Sequence, residues 1–408
     1  MALAGGALVF VALAVLPGEA AEKSAASLGW VYVPGTGSGP MAKPETQLHS
    51  WTLAGDAGAS GARQMGVVHR VAMGPDPRRP SLRQRTAGAV AVGRVAMGQL
   101  YGYWAKQAQG ARLERLIFRL GLQQAGNLTW WLSTGAHGSL TLHAELELPP
   151  HRFGPSQWLG PATPPRLPVA LSQDVTSFVQ MNVLPDQAWL TAERIFGERH
   201  AIQFALARAQ LDALEQKNGI SWLDDVLGRQ PRAWTLLRRK DGAITLVLGL
   251  ADGHAAWSLI EDMADIARAF VPSLTLTPLS GAGDKRFVLA WGEGQDGEGR
   301  DTPVYLLLQK NAVVIASRSD ALALAHEAPG EATKGASLWS LPEGKARAFG
   351  AMRGQVGADL VALARRHVPV GPLWDLLTPV ASVNWSLFDR PRGFGLQAHT
   401  TPQKTTGP

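Results

Sequence analysis

The sequence predicts an α+β protein of two related modules, each a mainly antiparallel sheet with helices packed on one face. Two segments far apart in the chain, LTWWLSTGAHGSLTLHAELEL and VNWSLFDRPRGFGLQAHTT, alternate apolar and polar residues on both sides of a glycine-containing turn. This pattern is typical of a β-hairpin. A segment with apolar residues at helical spacing precedes each hairpin. A helix packed on one face of an antiparallel sheet is a common arrangement, because it buries the apolar faces of the helix and the sheet against each other.

The order of these segments is repeated along the chain. RVAMGQLYG and the helical segment ARLERLIFRL precede the first hairpin, and RAFGAMRG and ADLVALARRHV precede the second. Alignment of the hairpins places Trp385 on Trp130 and Ser386 on Trp131. The repeat predicts that Trp130 and Trp385 are equivalent core residues that close two copies of one module.

Composition divides the chain into four regions. Residues 28–150 form the first predicted module, and the proline-rich residues 151–168 are a linker, since prolines this frequent suit neither a helix nor a central strand. Residues 169–402 form the second, larger module. The apolar run ALAGGALVFVALAVL within residues 1–21 is typical of a secretory signal peptide, although no Lys or Arg precedes it.

Two alternatives remain open for that apolar run, a cleaved signal peptide and a retained membrane anchor, and the true start could lie upstream. Either way, the sequence predicts a location in the periplasm or at the outer face of the inner membrane.

The second module contains the clearest local signals. SWLDDVLG predicts a helical turn with Ser221 as N-cap and Gly228 just beyond its end. The Asp241-Gly242 pair between apolar runs predicts a tight hairpin. HAAWSLIEDMADIARAF predicts a helix, and four strand-like runs follow it: LTLTPL, RFVLAWG, PVYLLLQ and AVVIASR.

Composition excludes several classes of chemistry. With 46% apolar and 18% charged residues, the chain is expected to be globular. The absence of cysteine excludes disulfides, thiolate nucleophiles, cysteine-ligated zinc, iron–sulfur clusters and a lipoprotein anchor. A net charge of +6 spread over 408 residues is weak support for a nucleic-acid partner, so none is predicted.

No motif predicts a catalytic, cofactor or metal site. GTGSG lacks the spacing of a nucleotide-binding loop, and no G-x-S-x-G elbow is present. His143, Glu145, Glu147 and His151 have the residue types of metal ligands, but strand alternation makes the first three one polar strand face. The acidic pair Asp224-Asp225 is assigned to the start of a helix, where carboxylates interact favourably with the helix dipole. The acidic cluster of Glu261, Asp262 and Asp265 is assigned to an exposed helix face.

Two features are candidate binding surfaces. Trp131 alternates out of phase with Trp130 and is expected to be exposed on the other sheet face, where it could contact a partner or ligand. The loop GPDPRRPSLRQR contributes Arg78, Arg79, Arg83 and Arg85, and is either a solvated loop or a contact for an anionic membrane surface.

Three segments, KNGISWLDDVLGRQPRAWTLL, GAITLVLGLADGHAAWSLIEDM and NAVVIASRSDALALA, resemble a family of bacterial exported or membrane-anchored proteins known as a domain of unknown function. The matching positions include Gly219, Ile220, Asp225, Val226 and Leu227, while Gly228-Arg229-Gln230 departs from the expected pair of glycines. The resemblance implies a fold and export, and it carries over no catalytic residue.

The leading hypothesis is a non-enzymatic exported envelope protein that acts as a binding or interaction module, with an envelope protein or anionic membrane surface as partner and an unknown oligomeric state. The alternatives are a periplasmic carrier of a lipid or other apolar ligand and, more weakly, a hydrolase whose site is assembled from distant residues.

Overall fold

The computed structural model describes residues 27–33, 47–53, 65–71, 89–98, 121–135, 139–151, 154–165, 171, 174–199, 201–270, 275–279, 285–290, 303–320, 322, 339, 342–353 and 380–402. The chain divides into two compact units. Residues 1–154 and 351–408 form the first unit, and residues 155–350 form the second.

Eight strands form an antiparallel sheet in the first unit. They are β1 (Ser27–Val33), β2 (Gln47–Leu53), β3 (Met65–Val71), β4 (Ala89–Ala96), β5 (Asn127–Thr134), β6 (Leu140–Glu147), β15 (Val380–Arg390) and β16 (Gly393–Pro402). Their order is β15-β16-β6-β5-β4-β1-β2-β3, and every neighbouring pair is antiparallel. The strand β14 (Ala348–Arg353) begins in the second unit and ends in the first, since the division falls between residues 350 and 351.

The two tryptophan hairpins are neighbours in this one sheet. β16 of the second hairpin pairs with β6 of the first over seven residue pairs, from Gly393 opposite Glu147 to His399 opposite Thr141. Both hairpins carry the same cross-strand pair, Trp130 opposite Ala144 and Trp385 opposite Ala398. The second hairpin therefore does not close a separate module.

The predicted fold class, α+β in two related modules with helices on one sheet face, is wrong. Antiparallel strands dominate the fold, and the described part of the first unit contains, besides two residues after β4, a single helical segment, the 3-10 turn Leu122–Gln124. The two helical segments that were expected to precede the hairpins lie outside the described residues. Alternation correctly indicated the strands, but it carries no information on which distant strand each one joins.

One face of the hairpin sheet is the core of the first unit. Trp130 and Trp385 are 2% and 7% exposed, which confirms that both are core residues. The other buried side chains on this face are Leu132, Leu140, Leu142, Ala144, Val383, Phe394 and Ala398. The small Ala144 and Ala398 opposite the two tryptophans leave room for the indole rings to spread over the sheet.

The second unit combines strands with helices. Its strands are β7 (Val175–Val183), β8 (Arg232–Arg239), β9 (Ile244–Gly249), β10 (Thr275–Leu279), β11 (Lys285–Ala290), β12 (Val304–Gln309) and β13 (Ala312–Ala316), in the antiparallel order β10-β11-β12-β13-β9-β8-β7. Its helices are α1 (Pro155–Trp158), α2 (Pro185–Arg199), α3 (Ala201–Asn218) and α4 (Gly253–Phe270), with a π-helical turn at Trp222–Leu227.

Helix α4 packs on one face of the sheet of the second unit. Trp257 of α4 stacks on Phe287 of β11, with ring centroids 3.8 Å apart, and both belong to a cluster of buried side chains from helices and strands. The opposite face is also buried at Leu307 and Val314. This explains why β12 and β13 have continuous apolar runs rather than strict alternation.

The local signals of this unit are confirmed. Asp241-Gly242 forms the β8–β9 turn, with Gly242 at a φ of 84°. The Ser221 hydroxyl accepts a hydrogen bond from the Asp224 amide at 3.2 Å, and Gly228 ends the turn at a φ of 68°. The predicted helix after the hairpin is α4, and the four strand-like runs are β10 to β13.

Residues 155–165 of the proline-rich segment belong to the second unit and are hydrogen-bonded to other parts of it. The Asn182 side chain donates to the Pro161 carbonyl and the Thr163 hydroxyl at 3.1 and 2.7 Å, and Thr163 forms a β-bridge with Ala346.

No helix within the described ranges is both long and apolar enough to cross a membrane.

Candidate functional site

Trp131 lies on the opposite sheet face from Trp130, as the alternation predicts, but it is not exposed. It is 8% exposed, and its ring stacks on that of His143, its direct cross-strand neighbour, at 5.1 Å with an interplanar angle of 11°. The expectation of an exposed Trp131 is wrong because the neighbouring imidazole covers the indole. The other predicted contacts, Arg78, Arg79, Arg83 and Arg85, lie outside the described residues.

His143 belongs to a hydrogen-bonded polar face formed by β6 and β16. The His399 ring contacts Thr141 Oγ1 at 2.9 Å and Gln397 Nε2 at 2.8 Å. Burial, reinforced by the positive charges of His399 and Arg390, lowers the pKa of His143, while Glu145 opposes the shift. His143 is therefore a half-buried imidazole that resists protonation in the folded chain.

This lowered pKa predicts a loss of stability in acid. The unfolded chain protonates His143 near its ordinary pKa of 6.5, whereas the folded chain does so only at lower pH, so the unfolded state binds more protons as pH falls through this window. When the pH is lowered from 7.5 to 5.5, we expect the free energy of unfolding to decrease less in His143→Gln than in the parent protein. Denaturant titration at both pH values measures this, with the exposed His151→Gln as control. An equal fall in the parent and in His143→Gln would contradict it.

A cleft of about 660 Å³ lies at one end of the polar face of the first unit. We call it the arginine cleft. Its lining residues are Arg94, Gln124, Gly126, Asn127, Glu147, Leu148, Pro149, Pro150, Arg390, Pro391, Arg392 and Gly393. The volume lies in the range of small-molecule sites.

The β15–β16 turn shapes one wall of the cleft. Arg390 is opposite Gly393, so Pro391 and Arg392 form a two-residue turn, and proline presets the backbone for its first position. The Leu148 amide donates to the Arg392 carbonyl at 2.9 Å and ties the Leu-Pro-Pro segment to the turn. Gly393, at a φ of 153°, is required because a Cβ there would collide with the Leu146 carbonyl.

Arg390 is held in place by two contacts. Its Nε donates to Glu145 Oε1 at 3.1 Å, and its guanidinium lies over the Phe388 ring, 4.8 Å from the centroid. Phe388 in turn covers Gly395, whose missing side chain makes room for the ring. The guanidinium is thus oriented across the sheet, with a stacked apolar surface beneath it.

The cleft has an excess of positive charge. Glu147 Oε2 accepts hydrogen bonds from the Asn127 side chain at 2.7 Å and from its amide at 3.3 Å. Among the described residues, neither Arg94 nor Arg392 has an ion-pair partner, and the buried Nε of Arg94 has no hydrogen-bond partner. Three arginines therefore face one lining carboxylate, an arrangement that attracts an anion.

Carboxylates elsewhere have structural partners. Asp225 Oδ2 accepts from the Ser221 amide at 2.7 Å. Hydrogen bonds from Lys217 and Asn218 join α3 to Asp262 on α4 and lower the pKa of that carboxyl. Within the described ranges, no group of three or more His, Asp and Glu side chains could hold a metal ion.

The sequence did not indicate the arginine cleft. Arg94 and the Arg390-Pro391-Arg392 turn are far apart in the chain, and only the pairing of β16 with β6 brings their strands into one sheet. The one available local signal was the RPRG turn, in which two arginines flank a proline at a hairpin tip.

Comparison of the chain with protein-family models, curated proteins and solved structures finds no match. The resemblance to the exported family of unknown function is therefore neither supported nor refuted.

Proposed function

We propose that this protein is a binding module that holds an anionic ligand in the arginine cleft of its first unit. The observation that carries the proposal is the unbalanced positive charge of Arg94 and Arg392, which line the cleft without a carboxylate partner among the described residues. A guanidinium forms its strongest hydrogen bonds with carboxylate and phosphate oxygens, so a ligand with such groups would supply the missing partners.

The walls of the cleft support a binding role because their main elements are held in place before a ligand arrives. Asn127 is bound to Glu147, Arg390 to Glu145, and the Arg392 carbonyl to the Leu148 amide. A preorganised site loses less conformational entropy when it binds.

The proposed location is the cell envelope. This part of the proposal rests on the apolar run of residues 2–16. An anionic envelope component would then be the ligand or the partner. Recovery of the protein in the cytoplasmic fraction of its own cells would contradict this part of the proposal.

Citrate, a small tricarboxylate, tests the cleft. We expect Arg94→Gln to weaken citrate binding about tenfold or more, because a charge-assisted hydrogen bond contributes roughly 1.5–3 kcal/mol. Isothermal titration calorimetry at low ionic strength measures the affinity.

The matched control is Arg229→Gln, which removes an exposed arginine of the second unit that pairs with Asp224 at 3.0 Å. We expect it to leave citrate affinity unchanged. Equal affinities for the parent and Arg94→Gln would contradict the proposed site.

A further inference from the structure

We infer that the protein forms a symmetric dimer in which helix α3 of one copy packs antiparallel against α3 of a second copy. The inference is independent of the proposed function, since α3 belongs to the second unit and the arginine cleft to the first. It follows from the apolar side chains that α3 exposes, from the order of their sizes along the helix and from the pairing of the charges beside them.

The outer face of α3 exposes large apolar side chains. Ile202 is 76% exposed and Leu206 is 62% exposed, the highest values for large apolar side chains among the described residues. Ala209 and Ala213 are exposed as well. The spacing of these four positions is four, three and four residues, which places them in one stripe along the helix. We call this stripe the α3 seam.

The other side of α3 is packed on its own unit. Leu211 and Leu214 are buried. Phe204 lies against Gly197 of α2, where an added Cβ would be 3.2 Å from its ring. Because α3 is anchored from this side, the seam faces outward as a preformed surface, and its burial against a partner requires no rearrangement of the helix.

The charges beside the seam already have partners. From residue 202 to residue 213 the chain contains two charged residues, Arg208 and Asp212. Arg208 Nε lies 2.9 Å from Asp212 Oδ1, and Arg208 Nη1 lies 2.9 Å from Glu193 Oε1 of α2. A highly charged partner would therefore gain little at this face. An anionic membrane would lack the row of Lys and Arg side chains that holds a helix at its surface.

The order of large and small side chains makes the seam complementary to itself. Its large residues, Ile202 and Leu206, precede its small ones, Ala209 and Ala213. In an antiparallel pair, the register that places Ile202 opposite Ala213 of the second copy also places Leu206 opposite Ala209 of the second copy. Each large side chain then fills the space above a small one. A parallel pair would put alanine against alanine and leave a gap at one end.

This arrangement has two-fold symmetry, so both copies use the same surface and the assembly closes as a dimer. The exposed Gln203 and Gln210 flank the seam, and in this register Gln203 lies near Gln210 of the second copy. Primary amides both donate and accept hydrogen bonds, so the two can pair. The seam is about 18 Å long. It buries less than the roughly 800 Å² per partner of a standard interface, so we expect a dimer that dissociates on dilution.

Sedimentation equilibrium of the full chain measures the dimer. We expect a monomer–dimer equilibrium, and Leu206→Glu should raise its dissociation constant at least tenfold, because the dimer would bury two carboxylates without partners. Ile202→Glu should have the same effect and keeps the test available if Leu206→Glu does not fold. The matched control is Ile244→Glu, which changes a large apolar side chain on β9 that is 44% exposed, and it should leave the dissociation constant unchanged.

Disulfide formation tests the antiparallel register. The chain has no cysteine, so an introduced thiol can pair only with the thiol of another copy. In the antiparallel pair, residue 202 of one copy lies about 16 Å along the helix axis from residue 202 of the second copy, too far for a disulfide, and the same holds for residue 213. A mixture of Ile202→Cys and Ala213→Cys should therefore form cross-linked dimers under mild oxidation, whereas neither variant should do so alone.

Four outcomes would overturn the inference. They are a monomer at every concentration, a dimer that neither glutamate variant weakens, cross-linking of either cysteine variant with itself, and a monomer that sediments with phosphatidylglycerol vesicles unless Leu206 is replaced by glutamate. The last would assign the seam to a membrane surface. None of them bears on citrate binding, so the proposed function is tested separately.

Discussion

Replacement of Trp130 with alanine is expected to lower the free energy of unfolding by about 3–5 kcal/mol. The indole is 2% exposed and lies opposite the small Ala144, so no larger neighbour on that strand can fill the space it leaves. Trp130 also lies on a central strand of the first unit, between β4 and β6. Chemical denaturation followed by far-ultraviolet circular dichroism measures the loss.

Trp130→Phe is the matched control. It keeps an aromatic ring on the core face but removes the indole N–H, which is buried and has no hydrogen-bond partner. Because an unsatisfied buried donor is itself unfavourable, we expect a much smaller loss than for alanine. Equal losses in the two variants would show that ring packing at this position contributes little.

Trp385 is the residue of the second hairpin that corresponds to Trp130. Trp385 faces Ala398 as Trp130 faces Ala144, and both indoles lie on the core face of one sheet. The sequence predicted this equivalence correctly because it follows from alternation within each hairpin, which is a local property.

The assembly of the hairpins could not be predicted in the same way. Whether β16 pairs with β6 or closes its own module depends on which distant strand presents matching backbone groups and a compatible apolar face. The local pattern is equally compatible with both arrangements. The correct local elements therefore led to the wrong fold class.

Trp131 shows a similar limit at the level of one side chain. The alternation of residues correctly placed Trp131 on the opposite sheet face from Trp130. Its exposure, however, depends on the position of the side chain of its cross-strand neighbour, His143. His143 could have extended into solvent, and it stacks on the indole instead. The cleft arginines, by contrast, have no distinguishing pattern in the sequence. They are notable because Arg94 and Arg392 line one cleft and lack a carboxylate partner among the described residues, and both properties arise only when the chain folds.

The packing beneath Arg390 connects stability to ligand binding. Arg390 is oriented by Glu145 and by the Phe388 ring, and the ring needs the space above Gly395. A side chain at position 395 would therefore act on the cleft through Phe388 without contacting a ligand.

Gly395→Ala is expected to lower the free energy of unfolding by about 1–3 kcal/mol, because the added Cβ would overlap the Phe388 ring and force it to move. Displacement of the ring also removes the surface on which the Arg390 guanidinium lies, so citrate affinity should fall in the same variant. Denaturant titration and calorimetry measure the two effects.

A double-mutant cycle with Phe388→Leu tests whether the ring transmits the effect. Leucine is smaller and gives the new methyl group room, so Gly395→Ala should cost less stability in the Phe388→Leu background than in the parent. Phe388→Leu alone should weaken citrate binding, since it removes the cation–π contact with Arg390, and Gly395→Ala should then add no further weakening. Strictly additive effects on both quantities would instead mean that Gly395 acts on the backbone of β16 and not through Phe388.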